Sequence, residues 1–223
     1  MKISSLFPLL VALVLPAISS RADSANTAAV VNAVTTFKAG LNATQTTFID
    51  ATSSPVNSSC QYNFLLSNAE VWSNLPVSST LSGATRNGLI FSALTAAQQT
   101  NALAVSTTGK KLLDDMRAGD RYISGEVTNA KGTTSTMWGY NKYFVSFVGA
   151  PSTTTPWTFQ FGGHHLAYNI TYNGTYLSGT PIFAGTEPNN WTDSTGTYAP
   201  FGAQRTLLEA LHPTLTTSAL RHI

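Results

Sequence analysis

Titratable chemistry is scarce in this chain. Charged residues make up 10 % of its 223 positions, and there are four histidines and one cysteine. Twelve Lys and Arg nearly balance ten Asp and Glu without forming a basic stripe, which argues against nucleic acid as a partner. The single thiol, Cys60, has no internal partner for a disulfide, and its neighbours Ser58, Ser59 and Gln61 bring no positive charge to lower its pKa. HExxH, GxSxG, CxxC and a nucleotide-binding glycine loop are all absent, so the reactions those motifs serve have no local support. No internal repeat is present, and no segment is long and apolar enough to span a bilayer.

What is present starts at the N-terminus. Lys2 precedes an apolar run from Leu6 to Ile18, and the small residues Ala17 and Ser19 stand two apart, as at a cleavage site. Residues 1–19 are therefore read as a signal peptide and the product as secreted. Five N-x-[ST] triplets, at Asn42, Asn57, Asn169, Asn173 and Asn190, fit an extracellular glycoprotein. Asn169 falls in an apparent strand, where burial of its amide would exclude a glycan.

Spacing of the apolar residues divides the chain. Val30, Val34, Phe37, Leu41 and Phe48 recur mostly at three or four positions and predict a helix over about 28–49. Residues 51–59 read as a loop around Pro55, and 65–75 as a short helix carrying Trp72. Thr95 and Gln98 form a capping box behind Leu94, starting a helix that runs to about Thr108. A further helix is predicted over 110–118, with Leu112, Leu113 and Met116 inward and Gly119 as its stop. Asp114, Asp115 and Asp120, near Arg117 and Arg121, read as a salt-bridged solvated face.

After Gly132 the period changes to that of strands, predicted over 143–148, 157–161 and 166–172. Asn173-Gly174 predicts a hairpin to a strand near 175–177. Residues 179–200 read as irregular, and 205–211 as a helix with Leu207, Leu208 and Leu211 inward. The expected architecture is one α+β domain over 20–223, an N-terminal helical layer packed on a small, mainly antiparallel sheet.

The adjacent pair His164-His165 follows Gly162-Gly163 in an aromatic-rich run. On a regular strand the two rings point to opposite faces, whereas a bulge at the glycines turns both to one side. A metal site needs three or more ligands, and the candidates are His164, His165, Glu187, Asp193 and, further off, His212. A packed structural pair and metal-free acid-base chemistry are the other readings of the same residues. Trp157, Phe159 and Phe161 share one strand face, as core or as a sugar-stacking platform, and Trp157 and Trp191 are the stacking candidates.

Trp157, Gln160, the run Gly162 to His165, Asn169, Pro181, Phe183, Gly185, Glu187 and Pro188 together resemble the family catalogued as domain of unknown function 3500 (DUF3500). Arg86 to Leu89 with Leu94, Thr95 and Gln98, and Tyr143, Phe147, Gly149 and Pro151, extend the likeness over about 64–211. The resemblance implies a secreted or periplasmic protein and a metal-dependent role for the histidines. It also implies a further histidine- and aspartate-containing region, so a C-terminally shortened domain is expected. The leading expectation is a transition-metal site (zinc, copper or iron) at His164, His165 and Glu187 for hydrolytic or oxidative chemistry on a small molecule. The alternative is a non-catalytic carbohydrate-binding or structural module.

Overall fold

The computed structural model describes residues 24–49, 74, 86–107, 109–132, 134–179 and 181–214. The expected signal peptide, Asn57, Cys60 and the helix expected around Trp72 lie outside them. Among the described residues no helix is long and apolar enough to cross a membrane.

The described residues begin with α1 (Ser24–Ala39) and α2 (Ala43–Ile49) rather than one continuous helix. Asn42 makes the break. Its Oδ1 accepts from Gln45 N–H and its own N–H donates to Gln45 Oε1, both at 2.9 Å, a reciprocal cap that starts a new helix. Gln45 and Gln98 then bond to each other, and Gln98 Nε2 donates to Gly40 O at 2.7 Å. Those bonds tie the break to α3 (Ala96–Ala104), which begins on the predicted Thr95–Gln98 box.

Helix α4 (Lys110–Ile123) runs past its expected stop. Gly119 stays helical and lies under the Trp191 ring, where an added Cβ would sit 3.4 Å from the indole. The extra turn carries Asp120 onto the inward side behind Leu113 and Met116, all three buried.

The main sheet is antiparallel, in the order β1 (Leu89–Ile90), β2 (Phe144–Val148), β3 (Trp157–Gly163), β4 (Leu166–Asn173), β5 (Tyr176–Ser178). β6 (Ile182–Ala184) pairs with the first half of β4, beyond the reach of β5. The segment expected to be irregular thus holds β6 and a separate hairpin of β7 (Trp191–Asp193) and β8 (Gly196–Tyr198). Helices from the first half and this sheet make the α+β class.

Alternation along β3 buries Trp157, Phe159 and Phe161, which join Phe37, Phe91 and Phe147 in the core. Phe91 meets Phe161 edge-on at 5.2 Å, and Phe147 tilts against both Phe37 and Phe159. The last helix, α5 (Gly202–Leu211), departs from expectation. Leu207, Leu208 and Leu211 are exposed at 71, 65 and 50 %, because the helix runs clear of the body after Phe201. Periodicity marked the apolar side of α5 but not the presence of something to cover it.

Candidate functional site

The histidine pair is not inside a strand. Gly163 pairs with Leu166, so His164 and His165 are the two turn residues between β3 and β4. His165 takes φ 57, the left-handed conformation that closes the turn. Its N–H donates to Asn74 O at 2.7 Å, and its carbonyl accepts from Gly185 N–H at 2.9 Å. Strand alternation therefore does not govern the rings. Their centroids lie 3.9 Å apart at an interplanar angle of 36°.

Gly163 gives this turn its seat. A Cβ there would stand 2.4 Å from the Tyr143 ring, so only glycine lets Tyr143 pack directly beneath the turn. Arg86 Nη2 donates to the Gly163 carbonyl at 3.0 Å, and burial lowers that guanidinium to about 10 despite the nearby Tyr143 and Asp120. The glycines thus permit close packing, and no bulge is needed to bring the rings together.

Asp120, read from sequence as part of a solvated acidic face, is the residue this site turns on. Its Oδ1 lies 2.8 Å from His164 Nδ1, with both residues buried. Its Oδ2 accepts from the Tyr143 hydroxyl at 3.0 Å. Burial pushes the Asp120 carboxyl above the usual range, and the hydrogen bond and charge of His164 only partly offset this. An ionised Asp120 can only accept, and opposite it a neutral His164 donates from Nδ1 and holds its lone pair on Nε2. Trp138 stacks on the His164 ring, centroids 5.5 Å apart at 27°.

His165 is partly exposed. Burial lowers its imidazole below the usual histidine range, His164 adds to the lowering, and Asp120 and Glu187 oppose it. Glu187 is exposed and acts on His165 through its charge, without a hydrogen bond to either ring. Asp193 is occupied elsewhere. It accepts from Thr195 N–H and Oγ1 at 2.7 and 2.6 Å and pairs with Arg121 at 3.6 Å. Burial pushes its carboxyl up, but those partners outweigh it and leave it below the usual range. His212 stands exposed after α5. Among the described residues no three His, Cys, Asp or Glu side chains gather as a metal-holding group.

Both stacking candidates are buried. Trp157 lies flat on Tyr172 with centroids 4.6 Å apart and donates from Nε1 to Ser152 O at 2.8 Å. Trp191 is stacked with Tyr198 at 4.8 Å and Tyr122 at 6.2 Å. Neither offers an open face to a sugar. Asn169 is likewise enclosed, its Nδ2 donating to Pro181 O at 2.8 Å and its Oδ1 accepting from Gln160, so the amide a glycan needs is used inside the fold.

Sequence reasoning missed Asp120, Tyr143 and Trp138 as site residues. The signal for Asp120 was its position four residues after Met116, which continues the inward stripe of α4. Comparison with known proteins places the chain more broadly than its motifs do. The family model described as Protein of unknown function (DUF3500) matches residues 24–222. No curated protein and no solved structure matches the chain.

Proposed function

The chain belongs to the DUF3500 family, and we propose that it is a hydrolytic enzyme whose working atom is His164 Nε2. The observation that carries this is the buried 2.8 Å contact between His164 Nδ1 and Asp120. Nε2 takes the proton of a water or hydroxyl nucleophile as its oxygen attacks the electrophilic centre of a small-molecule substrate. The proton is later returned to the leaving group. When His164 is protonated, its Nδ1–H faces the Asp120 carboxylate, so the buried negative charge is neutralised as the positive one appears. Tyr143 fixes the carboxylate, and the His165 and Trp138 rings hold the imidazole plane.

The test is a screen of ester, amide and glycoside substrates, followed by His164→Ala and Asp120→Asn on any activity found. Both variants are expected to lose it. Full activity in His164→Ala refutes the proposal.

A second reading is favoured by the same geometry. A carboxylate behind one imidazole is the arrangement that orients a metal-ligating histidine, and the His165 ring is 3.9 Å from it. His164 Nε2 and His165 would then hold a zinc, copper or iron ion near Glu187, and the ion would supply Lewis acidity or redox chemistry. The described residues provide two imidazoles and no gathered third donor. Elemental analysis of the parent protein and of His164→Ala and His165→Ala separates the readings: stoichiometric metal lost in both variants supports the second.

An extracellular setting goes with either reading. It is supported by the leader-like residues 1–19 and by the exposure of Asn42, Asn173 and Asn190. A mass decrease on enzymatic deglycosylation of the secreted product tests it, and an unchanged mass counts against the glycans.

A further inference from the structure

Trp138 reaches His164 from a segment without regular structure, yet its position is fixed from both sides. On one side Ser135 Oγ accepts from the N–H groups of Met137 and Trp138, at 3.0 and 3.4 Å. On the other, Tyr140 is held three ways. Its carbonyl accepts from Arg117 Nε at 3.0 Å, its hydroxyl donates to Asp114 at 2.9 Å, and its ring lies under the Arg117 guanidinium at 3.9 Å. The remaining anchor is Glu126, an exposed residue just beyond α4. Its Oε1 accepts from Ser124 Oγ at 2.9 Å and its Oε2 accepts from Tyr140 N–H at 3.2 Å. Gly139 makes this approach possible, since a Cβ there would stand 2.1 Å from Glu126 Oε1.

We propose that Glu126 is a positioning residue for the Asp120–His164 site, clamping residues 138–140 so that the Trp138 ring stays seated on the His164 imidazole. The inference rests on the reading of His164 as the working imidazole. Nothing local to Glu126 requires a carboxylate in that place: the buried Ser124 hydroxyl has a second acceptor in Arg121 O at 3.2 Å, and the Tyr140 N–H bond lies at the exposed surface. What the carboxylate does achieve is a direct link between the end of the Asp120-bearing helix and the residue two positions after Trp138. One side chain thereby registers both the carboxylate behind His164 and the ring against it. Sub-ångström placement of supporting groups is what catalytic imidazoles depend on.

The test reads access to His164 Nε2 without any substrate. Diethyl pyrocarbonate acylates an imidazole nitrogen by its lone pair and releases ethanol and carbon dioxide. The rate at His164 is followed by peptide mass in a His165→Asn background, since Asn tolerates the left-handed turn position. A double-mutant cycle is then run with Glu126→Ala and Trp138→Ala. Glu126→Ala is expected to raise the His164 rate several-fold when Trp138 is present and to change nothing further in Trp138→Ala. The cycle is repeated with Trp138→Leu, which keeps bulk without a flat ring, in case Trp138→Ala does not fold. No rate change in Glu126→Ala, or an equal change in both backgrounds, overturns the clamp. Asp120→Asn is measured alongside. If it alters the rate while the cycle shows no coupling, the clamp fails and the dyad stands; coupling with no effect of Asp120→Asn gives the reverse.

Discussion

The Tyr143 hydroxyl lies 3.0 Å from Asp120 Oδ2, in the same place where it meets the backbone carbonyls of Met116 at 3.2 Å and His164 at 3.1 Å. One phenolic proton thus faces three acceptors in a fully buried spot. Tyr143→Phe removes the donor and leaves Asp120 Oδ2 without that partner, which costs about 1–3 kcal/mol for a buried polar group left unpaired. Urea unfolding of the variant is expected to show this loss. A stability equal to the parent's would mean that the hydroxyl does not hold the carboxylate.

Asp120→Asn acts in the opposite direction on stability. Burial raises the Asp120 pKa, so the stability linked to this group is fully present below its unfolded value of 3.8 and is lost as pH rises through the folded value. Asparagine carries no charge to bury. Its Oδ1 can accept from His164 and its Nδ2 can donate to Tyr143, which then donates to a neighbouring carbonyl. The stability of the variant relative to the parent is therefore expected to improve between pH 4 and pH 7 while any hydrolytic activity is lost. Unfolding curves at the two pH values check this, and a relative stability that worsens toward pH 7 contradicts it.

How much of this was legible in the sequence varies with the range of the interaction. The Thr95–Gln98 cap and the hairpin after Asn173 are local, and each was readable because residues three positions or fewer apart determine it. Gly119 misled because a glycine ends a helix or lets a large ring approach it, and only the distant Trp191 decides which. That one misreading hid Asp120. The histidine pair stood out in the sequence, but its turn geometry depends on the Gly163–Leu166 register. The leucines of α5 show the same limit from the other side, since an apolar stripe does not name its cover.

Those leucines yield a contrast. Leu207→Ala and Leu208→Ala are expected to change stability by less than about 0.5 kcal/mol, as for exposed sites. Phe159→Ala, at a fully buried position, should cost about 3–5 kcal/mol. Thermal or chemical unfolding of the three variants compares them directly. A loss above 2 kcal/mol in either leucine variant, about the onset of the range for buried leucines, would show that α5 is covered in solution.

Tyr172 gives a prediction at high pH. Burial, with Tyr168 adding, raises its phenol from 10.0 to about 12 under the stacked Trp157. The protonated form is the one the fold favours, so this contribution is intact below pH 10 and is lost as pH rises through about 12. The difference in phenolate absorbance between the parent and Tyr172→Phe is expected to appear only toward pH 12. Its appearance with a midpoint near 10 would contradict the burial.

The most direct test of the account is the tautomer of His164, read by long-range nitrogen–proton NMR correlation at a pH where the ring is neutral. The parent protein is predicted to carry the proton on Nδ1, facing Asp120, with Nε2 showing the nitrogen shift of an unprotonated acceptor, and Asp120→Asn is predicted to weaken that preference. A proton found on Nε2 in the parent would contradict the assignment of that atom as the working base.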